Sequence, residues 1–451
     1  MENLNRMLQR ALTDLPLRIG ASHPQALLSY FRKLPPKILV RIRRTAFKQT
    51  LRLATSRSAY YRQKFLERGI DVAKAREPED LGDFYLTSKD LRQSPEALLC
   101  GRPDIAIESS GTTGHAARVF LSHEELNYNA RQSVIFKAIY NISDEDRVLS
   151  TFYTGFCLDG LLASKSLPYW KAFGVCVGRV DPAEIYHKLP SYRFNIVMSG
   201  TPWLARFTEV AQGEGRPYPL KLLIGGGGGG IIKRTREWIE GFWNAPLCMT
   251  YACTEAATVL GFECLRRDGY HLNEFDFIVE ILNPDAEGYG EVVFTTVNRK
   301  VMPLIRYRTR DVARLINESC PCGFPFRRLS TLWGRSDEIV ASVWGNVHPG
   351  FFETILGSVP GITDEWQVAL REREGKQWFQ FRLEAENGSV DKAVTERLIL
   401  KAIETEHPLA WQAYLQKLAD VEFVFYPKGT LRKGRKLLRL VDERRSEAEA
   451  E

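Results

Sequence analysis

The segment Glu108-Ser109-Ser110-Gly111-Thr112-Thr113-Gly114 follows an apolar run, Ile105-Ala106-Ile107, that predicts a short strand. Four hydroxyl side chains and two glycines occupy residues 109–114. Glycine permits a tight turn and lets an oxyanion approach backbone N–H groups closely, while serine and threonine add rotatable donors. The segment therefore fits a loop that holds a polyphosphate, although it lacks the Gly-Lys-Ser/Thr ending of a Walker A loop. A polar surface turn is the alternative.

Four further motifs follow this loop in order along the chain. They are Tyr251-Ala252-Cys253-Thr254-Glu255, Tyr307-Arg308-Thr309-Arg310-Asp311, Gly334-Arg335-Ser336-Asp337 and the basic Lys433-Gly434-Arg435-Lys436. Together with the loop, they resemble the adenylate-forming superfamily of acyl-CoA synthetases, adenylation domains and luciferases. Within it, the chain is similar to the phenylacetate–CoA ligase and coenzyme F390 synthetase branch. The resemblance extends from about Ser56 to Arg444, and five motifs in order are more specific than any one of them.

Length and composition restrict the class of protein. A chain of 451 residues predicts two or three domains, and 44% hydrophobic with 26% charged residues is typical of a globular protein. The excess of 62 basic over 55 acidic residues gives a net charge of +7. Because the excess is scattered, it predicts a solvated surface and local phosphate contacts, not nucleic-acid binding.

The sequence predicts a cytoplasmic protein. It has no apolar run of about 18 residues, and Met1 to Leu15 carry charges throughout, so we expect neither a membrane span nor a secretory signal. The eight cysteines in so long a chain do not form a disulfide framework. A homodimer is compatible with these features, but nothing in the sequence requires one.

Apolar runs alternate with helical patterns between Arg147 and Met302, and this alternation predicts an α/β fold with a largely parallel sheet. The predicted strands are 148–152, 194–198 and 220–224, the predicted helices are 126–138, 202–212 and 233–242, and two more exposed strands are predicted at 291–297 and 312–316.

The resemblance implies a large N-terminal domain of mixed, largely parallel sheets and helices, followed by a small, mobile α+β C-terminal domain. We place a helical leader at 1–55, interrupted by Pro35-Pro36, the large domain at 56–336 and the small domain at 337–451. In the small domain, strands are predicted at 378–383 and 421–425 around a helix at 394–405.

Six consecutive glycines, Gly225 to Gly230, follow the apolar residues Leu222-Leu223-Ile224. Without Cβ atoms, this segment lets a planar ligand lie against the backbone, although ordering it costs conformational entropy. By resemblance, Gly227 and Gly228 would contact the adenine and the acyl group of ATP and acid substrates. A flexible linker is the alternative.

The resemblance also implies roles for the polar motif residues. Glu255 would bind Mg²⁺, Thr254 would contact the α-phosphate and Tyr251 would lie near the adenine, because a carboxylate beside a hydroxyl at a strand end suits a metal-bound phosphate. Asp311 would accept hydrogen bonds from both ribose hydroxyls. The superfamily usually has glycine at the position of Arg310, so this residue is a departure from its pattern.

The third and fourth motifs would serve the movement of the small domain. By resemblance, Arg335 would bind ribose or phosphate and Asp337 would be the hinge. Lys436 would be the adenylation lysine that stabilises charge developing on the carboxylate and the α-phosphate, with Lys433 as the competing assignment.

A separate set of residues predicts a metal site. Cys264, His271, Cys320 and Cys322 offer three thiolates and one imidazole, which is the ligand composition of a closed structural zinc site. Their spacings are not those of a standard zinc finger, and unligated thiols are the alternative. Some members of the resembling branch carry zinc on such a set.

The resemblance implies an ATP- and Mg²⁺-dependent enzyme that converts a small carboxylic acid to an acyl-adenylate and transfers the acyl group to CoA. By resemblance, Tyr153, Phe156 and Ala252 would line the acid pocket, with Phe152, Cys157 and Tyr251, and this aromatic lining favours an aryl or arylacetic acid. An amine, a protein side chain or a cofactor hydroxyl is an alternative acceptor. A non-catalytic nucleotide-binding relative is the alternative of a different class.

Overall fold

The computed structural model describes residues 12, 14–109, 116–178, 180–227, 233–338, 340–373, 376–386, 390–432 and 437–444. The described residues form two compact units. The first lies within Met1–Gly230, Ile239–Thr309 and Ala313–Thr331, and the second within Ile231–Trp238, Arg310–Val312 and Leu332–Glu451. Several residues with predicted roles lie outside the described part of the chain: Ser110, Gly111, Thr112, Thr113, Gly114, Gly228, Lys433, Lys436 and the side chain of Asp337.

A nine-stranded mixed sheet forms the centre of the first unit. The strands that the first unit contains, in whole or in part, are β1 Ile105–Glu108, β2 Arg118–Leu121, β3 Arg147–Ser150, β4 Phe173–Cys176, β5 Ile196–Gly200, β6 Leu222–Gly226, β7 Leu247–Cys253, β8 Thr258–Phe262, β9 Tyr270–Leu272, β10 Phe277–Leu282, β11 Gly290–Thr296, β12 Tyr307–Ala313, β13 Leu315–Ile316 and β14 Arg328–Leu329. The sheet has the order β13-β14-β9-β8-β7-β6-β5-β3-β4.

Five neighbouring strands of this sheet, β4, β3, β5, β6 and β7, are parallel. The sheet continues from β7 through β8, β9, β14 and β13 with antiparallel pairs. The parallel strands β5 and β6 are buried almost throughout, which is why they appear in the sequence as continuous apolar runs. The predicted α/β fold is confirmed, and the parallel pairing is confined to five of the nine strands of this sheet.

The helices of the first unit connect and cover these strands. They are α1 Pro24–Arg32, α2 Pro36–Arg57, α3 Ala59–Glu67, α4 Ser88–Gln93, α5 His123–Gln132, α6 Val134–Ile139, α7 Leu158–Trp170, α8 Pro182–Tyr192 and α9 Thr201–Gly213, while α10 Lys233–Trp243 extends across the division between the units. Within the described residues, no helix is long and apolar enough to cross a membrane.

The helix predicted at 126–138 is in fact two helices, α5 and α6, which meet at Ser133. The Ser133 hydroxyl donates to the carbonyl of Ala130 at 2.6 Å, and the indole N–H of Trp170 donates to the carbonyl of Ser133 at 2.8 Å. Such bonds compete with the regular backbone pattern of a helix. The sequence shows the serine but not the distant tryptophan, so this break was not predictable.

A second sheet contains β10, β11 and β12, in that order. Strand β11 lies between the other two, and all seven of its residues are buried. The prediction that 291–297 is a more exposed strand is therefore wrong. The Glu291 carboxylate, which is buried with the rest of the strand, is paired with Arg308, whose Nη2 lies 2.5 Å away.

The N-terminal helices pack into the first unit instead of standing apart from it. Leu17, Phe31 and Leu39 belong to the same buried apolar cluster as Ile196 and Ile224 of the central sheet. Helix α2 runs without interruption through residue 55, where we predicted the leader to end. The break predicted at Pro35-Pro36 falls between α1 and α2, where Pro35 is the N-cap of α2.

The second unit has its own core and a four-stranded sheet of order β20-β19-β18-β21. Its remaining elements are β15 Gly334–Arg335, β16 Val340–Ser342, β17 Gly345–Val347, α11 Pro349–Leu356, β18 Ile362–Arg373, β19 Lys376–Ala385, α12 Lys392–Glu406, α13 Pro408–Leu415, β20 Ala419–Pro427 and β21 Leu440–Asp442. Its core contains aromatic residues among a majority of aliphatic ones, and the rings of Trp344 and Phe379 stack 3.7 Å apart. The strands predicted at 378–383 and 421–425 and the helix at 394–405 lie within β19, β20 and α12.

Candidate active site

The Thr254-Glu255 pair follows directly on β7, in a single turn of 3-10 helix, Thr254–Ala256, before β8 begins. Both side chains are partly exposed, whereas Ala256 is buried. The hydroxyl of Tyr307 donates to Oε1 of Glu255 at 2.8 Å. No hydrogen bond from a described residue reaches Oε2 of Glu255, so one carboxylate oxygen is oriented and the other is available to a ligand.

Two side chains from other elements hold the backbone of this turn. Arg299 donates from Nη1 to the carbonyl of Glu255 at 2.8 Å and from Nη2 to the carbonyl of Ala256. Asn129 of α5 donates to the carbonyl of Ala257 at 2.8 Å. Burial lowers the pKa of Arg299, because the charged guanidinium loses its hydration. The sequence did not indicate either residue, since both are distant in sequence from Glu255.

Gly226, at the end of β6, lies next to Thr250 of β7 in the parallel pairing. A Cβ atom at Gly226 would stand 2.8 Å from the Thr250 hydroxyl and 3.3 Å from the Phe152 ring. The absence of a side chain therefore lets the Phe152 ring approach the backbone of β6. Gly227 has a φ of +73°, a conformation that residues with a Cβ atom rarely adopt.

Tyr251 is 5% exposed, and its ring lies 5.9 Å from that of Tyr270. Ala252 is partly buried beside it. Two other predicted lining residues behave differently, because Tyr153 is 40% exposed and Phe156 is 74% exposed. In this structure these two rings do not form an enclosed wall with Tyr251 and Ala252.

The predicted phosphate loop lies between β1 and β2, and Ser109 is its one described residue. The backbone N–H of Ala117 donates to Oγ of Ser109 at 2.9 Å, and the N–H of Ser109 donates to the carbonyl of Ala117 at 2.9 Å. The N–H of Glu108 donates to the carbonyl of Phe156 at 2.8 Å. These bonds fix Ser109 at the base of the loop and attach the Phe156 segment to β1.

In the second unit, Asp311 and Arg335 lie opposite each other in the antiparallel pair of β12 and β15. Nη1 of Arg335 is 3.7 Å from Oδ1 of Asp311. Two residues with separately predicted roles in nucleotide binding are therefore neighbours. Arg310 has a φ of +68°, which explains in physical terms why glycine suits this position.

The four predicted metal ligands come together in the first unit. All their ligand atoms lie within 4.8 Å of one another, with Cys264 Sγ 3.8 Å from Cys320 Sγ and Cys322 Sγ 3.3 Å from His271 Nε2. The strand pairing of β9 with β14 and the loop after β13 bring the two halves of the set together.

Hydrogen bonding within the cluster favours a thiolate. The thiol of Cys322 donates to Cys264, which lowers the pKa of Cys264 to about 3, and the imidazole of His271 adds to this effect. The same bond raises the pKa of Cys322. The thiolate is the form of cysteine that binds a metal ion. Three thiolates and an imidazole are a donor set that fits Zn²⁺.

Searches against known proteins agree with this architecture. No protein-family model matches the chain. The chain is 29% identical over 394 residues to phenylacetate–coenzyme A ligase of Thermus thermophilus, covering 83% of this chain and 88% of that protein. It is 25% identical over 328 residues to the Pseudomonas putida protein of the same name, covering 69% and 73%.

Solved structures show the same fold. A structure of 2-hydroxyisobutyryl-CoA ligase in the postadenylation state gives a TM-score of 0.75 at 19% identity, covering 92% of each chain. The O-succinylbenzoate coenzyme A synthetase of Bacillus subtilis, with ATP and magnesium, gives 0.54 at 18% identity, covering 74% of this chain and 68% of that chain. The chain is therefore similar in sequence to phenylacetate–coenzyme A ligases along most of its length, and it has the fold of these CoA ligases.

Proposed function

We propose that the protein is an AMP-forming acid–thiol ligase that activates a carboxylic acid with ATP and transfers the acyl group to CoA. The observation that carries the proposal is the Glu255 carboxylate, oriented by Tyr307 at the end of β7, in a chain related to phenylacetate–CoA ligases. The substrate class that we favour is an aryl or arylacetic acid, because the Phe152 ring lies against Gly226 at the end of β6 and Tyr251 lies in the neighbouring strand β7.

In the first half-reaction, a carboxylate oxygen of the acid attacks the α-phosphorus of ATP. The bond between the α-phosphorus and the oxygen that bridges it to the β-phosphate breaks, and pyrophosphate leaves. Glu255 would hold Mg²⁺, which when bound neutralises charge on the phosphate oxygens. Thr254 donates its hydroxyl to an α-phosphate oxygen, and Ser109 with the loop after it encloses the other phosphates. Tyr251 and Gly227 contact the adenine, and Asp311 and Arg335 bind the ribose.

In the second half-reaction, the CoA sulfur attacks the acyl carbon, the bond to the AMP oxygen breaks, and the thiol proton passes to solvent. Lys436 stabilises the charge in the first step, and rotation about Asp337 then withdraws it so that CoA can enter. Transfer to an amine or a protein side chain uses the same first step and is the second candidate, because every residue named above serves activation and none selects the acceptor.

We also propose that Cys264, His271, Cys320 and Cys322 hold a structural zinc ion. A tetrahedral site with Zn–S bonds of about 2.3 Å requires sulfur atoms about 3.8 Å apart, and Cys264 Sγ and Cys320 Sγ are separated by 3.8 Å. Three of the four ligands are buried, with His271 fully inaccessible and Cys264 only 2% exposed, and Cys322 is partly buried. A buried, closed set of four ligands is characteristic of structural zinc and leaves no position for a substrate.

The test is acid-dependent pyrophosphate release with a panel of aryl, arylacetic and aliphatic acids, with and without CoA. We expect turnover with an aromatic acid only when CoA is present, and its loss in Glu255→Gln and Lys436→Ala. A single burst without CoA-dependent turnover would instead favour an amine or protein acceptor. If a folded protein that binds ATP released no pyrophosphate with any acid, the result would favour a non-catalytic nucleotide-binding relative.

A further inference from the structure

We propose that Arg299, Asn129 and Tyr307 form a clamp that positions Glu255 as a metal ligand, with none of the three touching the substrates. This inference rests on the proposed function, in which Glu255 holds Mg²⁺. The clamp takes one residue from each of three separate segments of the first unit: α5, the segment after β11, and β12. Each of its members donates a hydrogen bond to an atom of residues 255–257.

Arg299 fixes the path of the backbone. Its guanidinium donates to two successive carbonyls, those of Glu255 and Ala256, in the fork geometry that only arginine provides. The residue is 7% exposed, and burying its charge is costly unless the hydrogen bonds are well made. Lysine would keep the charge at this position but could not hold both carbonyls in the same planar arrangement.

Asn129 secures the next residue. Ala257 has a φ of +54°, a left-handed conformation that is strained for a residue with a Cβ atom. Its carbonyl accepts a hydrogen bond from Nδ2 of Asn129 at 2.8 Å. Such strain persists only where surrounding contacts over-determine the conformation, and it is commonly found at functional sites. The left-handed residue ends the 3-10 turn and reverses the chain into β8, which keeps Glu255 at the strand end.

Tyr307 fixes the side chain. The residue is 2% exposed, and its ring packs 5.3 Å from that of Phe294, so the hydroxyl has little freedom. It donates to Oε1 of Glu255, and no hydrogen bond from a described residue reaches Oε2. A glutamate held in this way loses its rotamer freedom during folding and not during metal binding, which is the advantage of preorganisation.

The three residues therefore act through Glu255, and their removal has a specific signature. Without the Tyr307 hydroxyl, we expect the Mg²⁺ concentration that gives half of the metal-dependent stabilisation by the nucleotide to rise about tenfold. A change of this size corresponds to the loss of one hydrogen bond to a charged group. Binding of the nucleotide without metal is unaffected, because no clamp residue contacts it. In a Glu255→Gln background, the same substitution has no further effect on the Mg²⁺ response, since the charged ligand that the clamp positions is gone.

The test measures the thermal shift produced by α,β-methylene-ATP, which cannot donate its adenylyl group to an acid. The shift is measured with Mg²⁺ and with EDTA, in wild type, Tyr307→Phe, Arg299→Lys and Asn129→Ala. Tyr186→Phe and Arg314→Lys are the matched controls, because their side chains contact other parts of the first unit. We expect the metal-dependent part of the shift to shrink in the clamp variants and to persist in the controls, with the metal-free shift retained throughout.

Several results would overturn the clamp. One is an unchanged Mg²⁺ dependence in Tyr307→Phe and Arg299→Lys. Another is an additive effect of Tyr307→Phe and Glu255→Gln in the double variant, and the third is a thermal shift of the wild type that does not depend on Mg²⁺. Acid-dependent turnover is measured separately on wild type. If the wild type turns over an acid and the clamp variants respond normally to Mg²⁺, only the clamp is refuted. If the Mg²⁺ response requires the clamp residues but the wild type turns over no acid, only the ligase activity is refuted.

Discussion

Sγ of Cys322 lies 3.3 Å from Nε2 of His271, while Nδ1 of the same imidazole is buried and has no hydrogen-bond partner among the described residues. The ring is held instead by aromatic neighbours, with Phe324 edge-on at 5.3 Å. Nε2 therefore faces the three sulfurs and is the nitrogen able to complete a four-ligand site. A histidine kept in this orientation by packing supports the proposed zinc site.

The first prediction concerns the metal. Cys320→Ser removes one ligand, so we expect the purified protein to lose stoichiometric zinc and to unfold at a lower temperature, because metal-binding free energy contributes to folding free energy. Metal analysis and thermal unfolding measure the two effects. Cys176→Ser, which removes a thiol outside the cluster, is the control and retains the metal. Absence of zinc from wild type prepared without chelator would contradict the assignment.

The second prediction concerns the close approach of Phe152 to β6. In Gly226→Ala, the new methyl group meets the Thr250 hydroxyl and the Phe152 ring, so the strand or the ring must shift. We expect a loss of about 1–3 kcal/mol in the free energy of unfolding and weaker binding of the acid. Urea denaturation and the KM for the acid measure these effects.

Gly241→Ala in α10 is the matched control, because a Cβ atom there meets nothing within 4 Å. Alanine in a helix is favoured over glycine by about 0.5–1 kcal/mol, so this variant is expected to gain stability. If Gly226→Ala behaved like Gly241→Ala, the space beside Phe152 would be larger than the structure indicates.

Local sequence patterns predicted the elements whose environment is uniform along their length. The apolar runs before Ser150, Gly200 and Gly226 are parallel strands buried on both faces, so their composition alone identifies them. The C-terminal strands and helix were predicted because they lie within elements of 9 to 15 residues, and long elements are found even when their ends are placed inexactly. The burial of β11 was missed, because it depends on which strands lie on either side of it.

The sequence predicted only those site residues that stand together in a motif. Thr254 and Glu255 stand together in the sequence, but Arg299, Asn129 and Tyr307 reach them from distant segments. A buried arginine and an asparagine have no local signature, and only tertiary structure reveals that they end on the same turn. Conversely, Cys264 and Cys320 are 56 residues apart, and the chemistry of the set, not its spacing, suggested that they meet.

The third prediction follows from the left-handed conformation of Arg310. Glycine adopts a φ of +68° without strain, so Arg310→Gly relieves a cost of about 1–2 kcal/mol but adds about 0.5–1 kcal/mol of unfolded-state entropy. We expect a small net gain in the free energy of unfolding, measured by urea denaturation. Arg308→Gly, which breaks the pair with Glu291, is expected to destabilise. A loss of stability in Arg310→Gly would mean that contacts of its guanidinium outweigh the strain.

The fourth prediction concerns pH. Burial raises the pKa of Glu353 in α11 from 4.5 to about 7, with the nearby Asp364 opposing ionisation further and Arg439 favouring it. Because the folded state binds this proton more tightly than the unfolded state, the free energy of unfolding falls as pH rises from about 4.5 to about 7 and is constant above that range. Because glutamine cannot ionise, the free energy of unfolding of Glu353→Gln should not fall in this way as pH rises.

We therefore expect Glu353→Gln to be more stable than wild type at pH 8 by about 1–3 kcal/mol and to differ little from it at pH 4.5. Denaturation followed by tryptophan fluorescence measures this, since Trp344 and Trp366 lie in the same core as α11. Glu404→Gln, at an exposed position paired with Lys401, is the control and should show no such pH dependence. A variant whose advantage is equal at both pH values would mean that Glu353 is ionised in the folded protein at pH 4.5, and that Arg439 outweighs burial.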